Sequence, residues 1–124
     1  MARPRQAAAF DQRTATFPAL DLLGRMLADL PVSTRVALVM LPRHVSSIPA
    51  AGSNYHALEA ACRQRLAALA TGRQSTAFID LLVDDAKARD IENWCDAPHY
   101  RGGIARDVER RIGTALAGFG GASR

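Results

Sequence analysis

The sequence predicts an α/β domain, a small parallel sheet flanked by helices in the order α-β-α-β-α. Three observations carry this expectation. Arg35-Val-Ala-Leu-Val-Met-Leu41 is a continuous apolar run between Pro31 and Pro42, short and β-branched like a strand buried on both faces. Thr76-Ala-Phe-Ile-Asp-Leu-Leu-Val83 reads as a second strand. Around them, apolar residues recur at three- and four-residue steps, the period of an amphipathic helix. Strands alternating with helices of this length imply right-handed crossovers, and hence parallel pairing.

Taken in order, residues 1–17 hold no sustained period and form an expected N-terminal arm, with Thr14–Phe17 able to add a short edge strand. One α/β domain then spans 18–124. Pro18 suits a first helical position, Leu20, Leu23, Leu27 and Leu30 share a face, and Pro31 stops the helix. A loop follows the first strand from Pro42 to Gly52. Ser53 or Asn54 is placed to cap the next helix, whose inward stripe is Tyr55, Leu58, Cys62, Leu66 and Leu69. Gly72 stands where a left-handed C-terminal cap is expected. Beyond the second strand, Asp84–Asp90 reads as a short helix and Ile91–Tyr100 as irregular. A last helix runs from about Gly103 to Ala117, with Ile104, Val108, Ile112 and Ala115 or Leu116 inward, ended by Gly118, Gly120 and Gly121. Two strands make a thin sheet. The first lacks a second neighbour unless the arm or another chain supplies one.

The 124 residues are 48% hydrophobic and 23% charged, which fits one domain with its own core. The longest apolar run, Val36–Leu41, is far short of the roughly 20 residues of a membrane span. Ala7–Phe10 is too short for a signal-peptide core, so the expected location is cytoplasmic. The net charge is +4, and 15 of the 16 basic residues are Arg, with Lys87 the exception. Arginine suits phosphate and carboxylate binding, but beside 24 alanines the skew also follows from a G+C-rich coding sequence. Arg106, Arg110 and Arg111 on the last helix are interleaved with Asp107 and Glu109 and match no nucleic-acid motif, so no nucleic-acid partner is expected. Cys62 and Cys95 lack metal spacing and read as free thiols.

Ligands of open parallel sheets bind beyond the carboxyl ends of the strands. Leu41-Pro42-Arg43-His44 and Asn93-Trp94-Cys95-Asp96-Ala97-Pro98-His99-Tyr100 both belong there. Asp96 and His99 are three apart in a turn stiffened by Pro98, close enough for the carboxylate to fix one imidazole nitrogen and leave the other as a general base. Their alternative is a surface turn, and for His44 it is an ordinary loop histidine. His44, Asp96, His99 and His56 show no spacing typical of zinc, so no metal or other cofactor is expected. Ser53, Ser46 and Ser47 are the serines nearest this rim, with capping and loop hydration as their plainer roles. Trp94 and Tyr100 either line a pocket or anchor the loop in the core.

Phe78-Ile-Asp80, the acidic segment after it, Asn93–Arg101 with its D-x-x-H, and the helix that follows resemble the C-terminal block of SGNH/GDSL-type hydrolases. The strand ending in Leu41-Pro42-Arg43-His44 is similar to the strand-then-P-x-H segment of bacterial SGNH-like proteins. The resemblance covers roughly residues 18–117. It implies the C-terminal half of a flavodoxin-like SGNH hydrolase fold, with His99 and Asp96 as base and orienting acid of a serine triad and His44 on the active-site rim. The reaction implied is ester hydrolysis or acyl transfer on an acyl ester. The family's Gly-Asp-Ser nucleophile block and its Gly-x-Asn-Asp motif are absent from this sequence. The chain is therefore expected to be inactive alone. The alternative is a non-catalytic interaction protein that forms a homodimer, or binds a partner chain, through an exposed strand edge.

Overall fold

A computed structural model describes Asp11 and residues 14–119, and its architecture is mixed α/β. Helix α1 (Pro18–Asp29) leads to strand β1 (Val36–Met40), helix α2 (Asn54–Thr71) and strand β2 (Thr76–Asp80). A one-turn helix α3 (Ala86–Arg89), a hairpin of β3 (Trp94–Asp96) and β4 (His99–Tyr100), and helix α4 (Gly102–Gly118) complete the order. Short 3-10 turns occupy Val45–Ser47 and Ile91–Asn93.

Strands β1 and β2 pair in parallel, from Val36 beside Thr76 to Met40 beside Asp80. Successive strand residues point to opposite faces, so an all-apolar strand needs cover on both. On one face Val36, Leu38, Met40 and Phe78 meet Leu20, Leu23 and Leu27 of α1 and Cys62, Leu66, Leu69 and Ala70 of α2. On the other, Val39 and Ile79 meet Leu81, Trp94 and Tyr100 together with Ile104, Val108 and Ile112 of α4. The sheet is thus the middle layer between two helical layers.

Several arginines close the chain crossings. Arg73 donates to the carbonyls of Pro31 (2.7 Å) and Thr34 (2.8 Å), holding the turn before β1 to the end of α2. Arg63 joins α2 to the end of β2 through Asp80 Oδ2 (2.6 Å) and the Leu82 carbonyl (2.6 Å). Arg43 pairs with Glu59 beside them.

The helix starts and the two strands follow the sequence, and the departures have local causes. Pro18 opens α1 without a side-chain cap, and Ser53 caps α2 by accepting from the His56 amide at 3.1 Å. Tyr55, expected inward, is 75% exposed because it lies in the first turn of α2, beyond the end of the sheet. Leu30 is exposed because α1 ends at Asp29, before Pro31. Gly72 has right-handed φ; it serves by close approach, since a Cβ there would meet the Ala68 carbonyl at 3.2 Å. The positive φ falls instead on Ser75, one residue before β2. Strand β2 stops at Asp80 because the Asp80 carboxylate accepts the Leu82 amide at 3.0 Å and turns the chain. Residues 91–100 are a 3-10 turn and a hairpin rather than irregular, so the order is α-β-α-β-α-β-β-α. Thr14–Phe17 is no edge strand: Arg65 holds it to α2 through the Ala15 carbonyl (2.5 Å) and the Phe17 ring (4.5 Å). The rest of the arm, and Gly120 and Gly121, lie outside the described residues.

Leu38 is 7% exposed at the centre of the α1–α2 core, so Leu38→Ala should cost about 2–5 kcal/mol in urea unfolding. Tyr55→Ala, at a side chain 75% exposed, should cost less than about 0.5 kcal/mol. Equal losses at the two positions would contradict the layering.

Candidate functional site

The hairpin supplies the geometry of the Asp96–His99 pair. Asp96 and His99 are cross-strand neighbours over the two-residue turn Ala97-Pro98, so their side chains start from opposed backbone positions. His99 Nδ1 lies 2.6 Å from Asp96 Oδ1, and the His99 amide donates to the same oxygen at 3.0 Å. A carboxylate oxygen accepts, so Nδ1 carries a proton, and in the neutral ring the lone pair is on Nε2.

Trp94 and Asp96 would share a face in a regular strand. The pairing shifts between them: Trp94 faces Tyr100 and Asp96 faces His99, which leaves Cys95 as an extra, bulged residue. The bulge lets Trp94 enter the core, 2% exposed, while Asp96 turns outward. Trp94 Nε1 donates to the Lys87 carbonyl at 3.0 Å. Arg101 closes the hairpin, its amide to the Asn93 carbonyl (2.8 Å) and its Nε to the Trp94 carbonyl (2.9 Å). Trp94 is thus an anchor, and it also lines a cavity of about 70 Å³ at the carboxyl ends of β1 and β2, beside Pro42, Leu81 and Ile104.

His44 reaches the same rim. Its amide donates to the Ala97 carbonyl at 2.9 Å, and its ring meets Trp94 edge-on at 6.1 Å between centroids. The His44 ring does not bond Asp96 or His99; its Nδ1 takes the Ser46 amide (3.2 Å) and lies 2.7 Å from Ser46 Oγ. An amide can only donate, so this Nδ1 is the acceptor and His44 caps the 3-10 turn. Ser47 Oγ donates to the His44 carbonyl at 3.0 Å, and Ser53 is occupied as the α2 cap. Among the described residues, no serine bonds the His99 ring.

The pair is open to solvent: the His99 side chain is 72% and that of Asp96 59% exposed. At such exposure an ion pair adds little to stability, so the backbone turn, rather than burial, holds the geometry. Elsewhere the charges are largely consumed by structure. The hydrogen bond from Lys87 holds the Asp107 carboxyl below the usual carboxylate range, with Arg110 and Arg111 adding to the effect. Burial, then Glu59, pushes the Cys62 thiol up, and both cysteines are free. Among the described residues no three His, Cys, Asp or Glu side chains converge as a metal site, and no helix is long and apolar enough to cross a membrane.

Sequence reasoning singled out Asp96, His99 and His44, and the structure brings all three to one rim. It missed the bulge at Cys95 and the Ser46–His44 contact. The first had a signal in the sequence: Trp and Asp two residues apart ask for opposite environments. The second had none beyond spacing. Comparison with protein-family models, with curated proteins and with solved structures gives no match.

Nitrogen-15 spectra of the neutral His99 ring should show the proton on Nδ1. Asp96→Ala should remove that preference while lowering stability by less than about 1 kcal/mol. A His99 tautomer indifferent to Asp96 would remove the pair as a functional unit.

Proposed function

We propose that His99 and Asp96 are the base and orienting acid of a serine-type ester hydrolase or acyl transferase of the SGNH class. Their nucleophile and oxyanion donors come from a segment other than residues 14–119. The observation that carries this reading is the 2.6 Å bond from His99 Nδ1 to Asp96 Oδ1, which fixes the tautomer and leaves Nε2 free to take a proton.

The chemistry balances with those two residues and an external serine. As the serine oxygen attacks the ester carbonyl, Nε2 of His99 takes its proton, and Asp96 stabilises the imidazolium formed. The imidazolium then protonates the departing alkoxide. Water or a second alcohol, deprotonated by the same nitrogen, releases the acyl group. An acyl ester is the substrate class, and no step needs a metal or cofactor.

Position supports the reading, because the hairpin and His44 lie beyond the parallel strands where open α/β sheets bind ligands. The flavodoxin-like arrangement belongs to this proposal: β1 and β2 would be the last strands of a larger parallel sheet. Exposure supports the division of labour. A pair this open lacks the water-excluding wall and fixed donors that acyl transfer uses, so a covering segment completes the site. A second reading, a non-catalytic interaction module, draws on the outer edge of β1, which pairs with no strand among the described residues.

The isolated chain should hydrolyse p-nitrophenyl acetate only at a rate linear in ester, without saturation, since one missing oxyanion donor alone costs roughly 10²–10³. Isolated from its own cells, the assembly containing this chain should carry a fluorophosphonate-reactive serine on the covering segment. His99→Ala should abolish that labelling, and Asp96→Asn should slow turnover by about 10⁴. Saturable hydrolysis by the isolated chain, or a native assembly with no reactive serine, would overturn the proposal.

A further inference from the structure

We infer that the outer edge of β1 is a homodimer interface, in which β1 of one copy pairs antiparallel with β1 of the other and the two α1 helices pack together above the joint. The inference is independent of any chemistry at Asp96 and His99.

The edge itself is the first ground. The ladder to β2 runs from the Val36 amide on the Ser75 carbonyl (2.9 Å) to the Leu81 amide on the Met40 carbonyl (2.9 Å). Even-numbered residues of β1 therefore face β2, and the amides and carbonyls of Ala37 and Val39 point to the opposite side. No strand of the described residues takes them. Edge strands are ordinarily guarded by charge, proline or a bulge. Val36–Met40 carries none of these, whereas the last residue of β2 is the charged Asp80.

The second ground is α1, which says what covers the edge. A Cβ at Gly24 would meet Leu69 of α2 at 3.4 Å, and Ala28 shares a cleft with Ala68, so that flank of α1 faces α2. At about 100° per residue, Leu22 and Met26 lie nearly half a turn round, on the flank away from α2. They are 51% and 58% exposed. Leu22 and Met26, with Arg25 and Asp29 beside them, thus stand on the flank of α1 away from α2, next to an unguarded and uncharged apolar strand.

A second copy answers both at once. Pairing centred on Leu38 opposite Leu38 sets Ala37 against Val39 and forms about four hydrogen bonds from the outward groups. It places only apolar residues opposite one another over Val36–Met40 and seats Arg35 opposite Leu41, so no like charges meet. The joined sheet β2-β1-β1-β2 enters the usual range of about 4–6 strands. A two-fold pair is also the simplest closed assembly.

Light scattering at micromolar concentration should give twice the 13.3 kDa chain mass. Ala37→Pro blocks the outward edge without touching the ladder to β2, and Leu22→Asp with Met26→Asp charges only exposed positions. Each should weaken association by about 100-fold or more, with unchanged far-ultraviolet circular dichroism. If Ala37→Pro fails to fold, the helix variant decides. In the wild type the Ala37 and Val39 amides should resist hydrogen exchange, and in the helix variant they should exchange freely. A wild-type monomer, or a dimer indifferent to the helix variant, would overturn the inference; a monomer held to a different protein would do so in favour of that partner.

Discussion

A two-stranded parallel sheet that is apolar on both faces cannot stand in water, and the rest of this molecule is arranged around that constraint. Leu38 and Phe78 draw α1 and α2 to one face, while Val39 and Ile79 draw α4 and the hairpin to the other. The hairpin is in the structure because Trp94 is the largest side chain available to close the second core. Its burial drags the short strands beneath α4 and sets the Ala97-Pro98 turn at the sheet's carboxyl end, where His44 binds it. The geometry of Asp96 and His99 is thus a downstream consequence of core formation on the far side of the sheet.

Arginine, which composition offers as a phosphate or carboxylate reader, is largely spent on the fold. Arg35, Arg63, Arg65, Arg73 and Arg101 each donate to a backbone carbonyl of a different segment: Leu116, Leu82, Ala15, Pro31 and Trp94. Each crossing leaves carbonyls that regular structure does not satisfy, and a guanidinium with five donors reaches them from a distance. Asp107 absorbs Lys87 and Arg110 on the outer helix. Much of the basic excess that invites an electrostatic reading therefore acts as internal bracing.

The two functional readings share one physical feature, incompleteness. The hairpin presents a fixed, correctly tautomerised imidazole with no wall around it, and β1 presents hydrogen-bonding groups with no strand beside them. These lie at different places, a strand end and a strand edge. Covering one does not require covering the other.

The sequence by itself determined the three long helices, the two parallel strands and most of their inward residues, but not the hairpin of β3 and β4. Repeated leucines, two short apolar runs, Pro18, Pro31 and Ser53 have strong local meanings that no tertiary contact overrode. It also determined the proximity of Asp96 and His99, because three residues and a proline leave a turn few shapes. The exposure of Tyr55 was not legible because it depends on where the sheet ends in space. Nor were the boundaries at Asp80 and Leu30 and the conformation of Gly72, because each turns on a single local contact that residue type does not specify. The bulge at Cys95 was decided only by the fold. A strand's period of two sends Trp94 and Asp96 to the same face, and the bulge is needed only once α4 and β2 have fixed which side of the hairpin is buried. His44 is the clearest case. Its position after the first strand already places it at the sheet's carboxyl end. Its bond to the Ala97 carbonyl and its contact with the Trp94 ring, however, join segments far apart in the chain, and no local pattern encodes contacts of that range.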